Sequence, residues 1–93
     1  MRIIGEIPHP RFKVTIFKMG ERVSVKIENA LYEQTYKLGD DDRFQTPEAV
    51  ERLLDGAFFE AADRVMQAMH QNRLQAIARL TPRTSQNDFD EII

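Results

Sequence analysis

TPEAVERLLDGAFFEAADRVMQAMHQNRLQAIARL, residues 46–80, is the stretch whose reading decides the fold, because no other segment carries a long helical period. Thr46 suits an N-cap, its hydroxyl free to accept from the first turn. Pro47 follows at N1, where a missing N–H costs nothing and φ is already helical. Glu48 and Glu51 set negative charge against the positive end of the dipole. Thr81-Pro82 marks the stop, since a residue before proline is biased out of the helical region. Between these signals the spacing predicts one continuous helix. Val50, Leu53, Leu54, Ala57, Phe58, Ala61, Ala62, Val65, Met66 and Met69 form a broad apolar stripe. Glu48–Arg52 and Glu60–Arg64 are i,i+4 pairs in the favourable order. Gly56 is the one poor helix former, and it is read as a place where a strand comes close rather than as a hinge. Beyond Met69 the segment turns polar, with Leu74, Ile77 and Leu80 as a sparser apolar set.

Such a helix needs something to pack on, and the residues before it supply a sheet. Residues 11–19 alternate, Phe12, Val14 and Ile16 against Arg11, Lys13, Thr15 and Phe17. Gly20-Glu21 is a tight turn. Residues 22–29 alternate again, Val23, Val25 and Ile27 against Ser24, Lys26 and Glu28. Asn29-Ala30 is a second turn, and residues 31–38 set Tyr32, Tyr36 and Leu38 against Glu33, Thr35 and Lys37. Residues 2–7, with Ile3, Ile4 and Ile7, suggest a short first strand that Pro8-His9-Pro10 terminates. The expected fold is α+β, an antiparallel three- or four-stranded meander followed by one long C-terminal helix packed on the sheet. Residues 1–82 make one domain and 83–93 a polar, mobile tail with a terminal apolar cluster of Phe89, Ile92 and Ile93. The expected core is Val14, Ile16, Val25, Ile27, Tyr36, Leu54, Phe58, Ala61 and Val65.

Composition narrows the function. The 93 residues, 42% hydrophobic, suffice for one core. Without cysteine there is no disulfide, thiolate or zinc-finger chemistry. No run approaches the ~20 apolar residues of a membrane span, and Met1–Glu6 does not read as a signal peptide. The expectation is a cytoplasmic protein with no membrane contact. Asp40, Asp41 and Asp42 lack the alternating ligands, central glycine and distal glutamate of a calcium loop, and read as a solvated turn. His9 reads as a packing or surface residue. Phe44 reads as a contact beneath the helix start. No catalytic constellation, cofactor or metal site is expected.

Charge is segregated along the chain. Residues 1–38 hold seven Lys/Arg against four Asp/Glu, and residues 39–63 hold two against eight. Residues 64–83 hold four arginines and no acid, and the last ten residues hold three acids. Acidic first and basic second suits the helix dipole. It also suits antiparallel association of two helices.

Two functional readings follow. The preferred one is a non-enzymatic interaction or structural module. An eight-residue strand spans roughly 26 Å, whereas a helix over 46–80 would run roughly 52 Å. One small sheet therefore leaves the far half of the helix uncovered. Met66, Met69, Leu74, Ile77 and Leu80 are the candidate self-association residues, and the expected partner is a second copy, as a homodimer. The alternative cover is a bend near Asn72 with the tail folded over the overhang. The second reading is a nucleic-acid-binding accessory protein, with Arg11, Lys13, Phe17, Lys26 and Lys37 on the wet face of the sheet. In layout alone, a three-stranded sheet backed by a helix resembles the arm-type DNA-binding domains of phage integrases, which implies a sheet face laid on phosphates. A net charge of −2 counts against it.

Overall fold

The computed structural model describes residues 1–80. They form four strands followed by two helices: β1 (Arg2–Ile7), β2 (Lys13–Met19), β3 (Arg22–Glu28), β4 (Glu33–Gly39), α1 (Pro47–Leu53) and α2 (Gly56–Ala78). The strands make one antiparallel sheet in the order β1-β2-β3-β4, each pairing with its sequence neighbour. The α+β meander with a long C-terminal helix is the fold that the alternation and the helical period predict. The expected tail, the 82/83 boundary and the Phe89, Ile92 and Ile93 cluster lie outside the described residues.

Local chemistry makes each connection. In the β1–β2 corner His9 turns its Nδ1 inward to accept from the backbone N–H of Arg11 at 3.1 Å and of Phe12 at 3.3 Å. Its ring stacks on Phe12 and lies tilted against Phe59 of α2, with centroids 4.9 and 4.4 Å apart. His9 is a packing and turn-capping residue. Gly20-Glu21 joins Met19 to Arg22 as a two-residue turn, with Gly20 at φ 61°. Asn29 Oδ1 accepts from the N–H groups of Leu31 and Tyr32 at 2.9 and 2.8 Å, an Asx turn that holds the β3–β4 connection. A short 3-10 turn, Asp42–Phe44, precedes α1. Asp41 caps it, accepting from the Arg43 N–H and from its guanidinium at 2.8–3.0 Å.

The single helix over 46–80 is corrected by the structure. Thr46 caps α1 as expected, its hydroxyl accepting from the Ala49 N–H. The helix then breaks: Leu54 sits at φ −88°, ψ 74° and Asp55 is extended. Asp55 is itself an N-cap, its carboxylate accepting from the Phe58 N–H at 2.9 Å. Gly56 is the first residue of α2 and faces open space, so it admits no strand. The close approach occurs at Gly5 instead, where a Cβ would meet Pro47 of α1 at 3.1 Å.

The break also turns the buried face. Positions 50, 54, 58, 61 and 65 are evenly spaced on an unbroken helix. The actual core uses Val50 and Leu54, then Phe59, Ala62 and Met66. Crossing Asp55 delays the stripe by one residue, about 100° of rotation. Val14, Ile16, Val25 and Ile27 are buried as expected, joined by Ile7, Phe12 and Val23. Tyr36 and Phe58 only flank this core, Ala61 is half-buried, and Val65 is 42% exposed. One polar side chain enters it. Gln34 donates from Nε2 to the Ala62 carbonyl at 2.9 Å and accepts from the Tyr36 hydroxyl, so its burial leaves its amide partnered.

Candidate self-association surface and groove

α2 has 23 residues, about 34 Å of helix, against about 23 Å for a seven-residue strand. Even with the break the helix outruns the sheet. The last residues of α2 with partial cover are Met69 and His70, and every residue from Gln71 to Leu80 is exposed. The boundary is built: the Tyr32 hydroxyl lies 2.9 Å from His70 Nδ1, a hydrogen bond, and the two rings meet edge to face. Sheet contact ends there.

The five candidate self-association residues therefore divide. Met66 is 4% exposed and belongs to the core, and Met69 packs against that core, so the exposed part of the set is Leu74, Ile77 and Leu80. Leu74, Ile77 and Leu80 are 43%, 50% and 68% exposed. Ile77 lies roughly three turns beyond Met66, on the side that the core occupies further back. The buried stripe thus continues past its cover.

Beside the boundary is a feature that sequence reasoning did not place. An open groove of about 810 Å³ runs between the Asn29–Tyr32 turn and α2 from Asp63 to Gln71. Leu31, Tyr32, Met66 and His70 are among the residues that line it, and Leu31 is 65% exposed. Tyr32 and His70 are 38 residues apart in the chain. Only the Asn29-Ala30 turn signal hinted at one wall.

The five candidate nucleic-acid residues do not form one basic surface. Arg11 lies in the β1–β2 corner, where it pairs with Asp63 of α2 at 3.1 Å and covers the Phe12 ring. Lys13, Phe17, Lys26 and Lys37 do share the outer face. Acids are interleaved there: Lys13 sits opposite Glu28, which sits opposite Glu33, and Thr15 opposite Glu6. Lys26 reaches Glu28 at 3.8 Å and leans over the Phe17 ring. Phe17 and Lys37 line a hollow of about 360 Å³ with Met1, Met19 and Arg22 at one end of the face.

The Asp41 carboxyl is held well below its ordinary range, to about 2, by its hydrogen bonds from Arg43. Its carboxylate is occupied by that cap. Among the described residues no cluster of three metal-ligating side chains occurs, and no helix is long and apolar enough to cross a membrane. Compared with known proteins, the chain matches no family model, no curated relative and no solved structure.

Proposed function

We propose that this protein is a non-enzymatic interaction module that self-associates through the far half of α2. One observation carries the reading: the apolar side of α2 runs on as Leu74, Ile77 and Leu80 after the sheet ends at His70, and the described residues put nothing over it. Contiguous apolar patches left exposed on a folded protein mark interaction sites. A two-fold pair is the default symmetry.

Light scattering across micromolar concentrations tests it. The wild type should show a mass twice that of the 10.8 kDa chain. Ile77→Asp with Leu80→Asp should give a folded monomer, because both residues lie outside the core. A wild type that stays monomeric at high micromolar concentration overturns the reading.

A further inference from the structure

We infer that the groove between the Asn29–Tyr32 turn and α2 receives the far end of α2 from a second copy of this chain, so that two copies insert into each other reciprocally. The inference rests on the self-association proposed above and names where the helix end goes.

Size is the first argument. The groove follows α2 from Asp63 to Gln71, about 12 Å of helix, and the exposed end from Gln71 to Leu80 is about 14 Å long. Area favours insertion over simple crossing. Two helix ends crossing only each other would share a strip on the order of 150 Å² in projection, taking about 10 Å as the helix width. A stable interface buries about 800 Å² per partner. Reciprocal insertion makes each copy contribute twice, once as helix end and once as groove, which about doubles that strip and adds the exposed Leu31, so it falls less far short of this area than simple crossing does.

Charge is the third argument, and it sets the direction. From Arg64 to Leu80 the helix carries Arg64, Arg73 and Arg79 and no acid. From its cap Asp55 to Asp63 it carries three acids and no basic residue. Overlaying only the two far ends would bring arginines together. Sliding each end antiparallel into the other's groove carries Arg79 toward Glu60 and Asp63, Glu60 lying one turn before the groove on its helix side. Asp63 already holds Arg11 and Gln67, and Arg64 stands on the same rim, so Glu60 is the freer partner. Such exposed pairs set orientation more than affinity.

The absence of cysteine makes the test clean. Leu31→Cys and Ile77→Cys are made as separate proteins, one with a size tag, checked by circular dichroism, mixed and oxidised. The inference expects a disulfide between the two variants, and Leu31→Arg in an otherwise unaltered chain should halve the solution mass. A wild-type dimer in which Ile77→Cys links only to itself, and in which Leu31→Arg leaves the mass unchanged, overturns the groove and keeps the self-association. A monomeric wild type overturns both.

Discussion

The two halves of α2 are one continuous helix in opposite surroundings. From Phe59 to Met66 its inner side is buried in the core, where Phe59 meets His9 and Phe12 and Gln34 of β4 bonds the backbone at Ala62. From Gln71 onward every side chain is exposed. No change in helix quality separates them; the sheet simply ends, with Tyr32 and His70 as its last contact. Apolar residues at helical spacing therefore say that a side is to be covered, without saying by what.

That contrast can be broken most severely in the covered half. Phe59→Ala should cost about 3–5 kcal/mol, a large share of the 5–15 kcal/mol typical of a domain. Val65→Ala, at a half-exposed position, should stay below 1 kcal/mol, within the range of surface changes plus one small packing loss. Chemical denaturation of the pair checks the face assignment; equal effects would mean that α2 is rotated from the orientation described. Gln34→Leu comes next. It strands the Tyr36 hydroxyl in partly buried surroundings and should cost about 1–3 kcal/mol in the same assay.

The helix break gives the next smaller effects, of opposite sign. Asp55→Ala removes the cap on the Phe58 N–H and should destabilise by about 0.5–2 kcal/mol. Gly56→Ala enters open space and should stabilise by about 0.4–1 kcal/mol. A loss at Gly56 would restore the close-approach reading of that residue. The smallest effect concerns Asp41. Its carboxyl titrates at about 2 rather than 3.8 because Arg43 bonds the ionised form, so the cap contributes fully above pH 3.8 and is lost as pH falls through about 2. Asp41→Asn should flatten the stability curve in that window, and carboxyl NMR titration of the wild type should find the depressed value.

Much of the fold was legible because it rests on local signals. Alternation in residues 11–38 marks the strands, Gly20 marks a turn, and Thr46-Pro47 marks a helix start. The break in the helix was also written locally. Asp55-Gly56 is a turn dipeptide and Asp a strong N-cap, yet the even spacing of Val50, Leu54, Phe58, Ala61 and Val65 overrode it. The cost of following that spacing was a face assigned one residue early, which placed Phe58 and Val65 inside and Phe59 and Met66 elsewhere. The candidate site was legible in part: Leu74, Ile77 and Leu80 stand out as apolar residues beyond the reach of a short sheet, whereas the groove does not.

By itself the amino-acid sequence determined the element types, their order and the surplus of helix over sheet, since propensity, capping and period act over a few residues. Tertiary structure alone decided which side of α2 is buried, that Gly5 rather than Gly56 is the close approach, and that Leu31, Tyr32 and His70 share a groove. The groove and the close approach depend on contacts between segments far apart in the chain, and the buried side depends on a phase reset at Asp55, whose capping signal is local but whose effect on the helix's rotation is not.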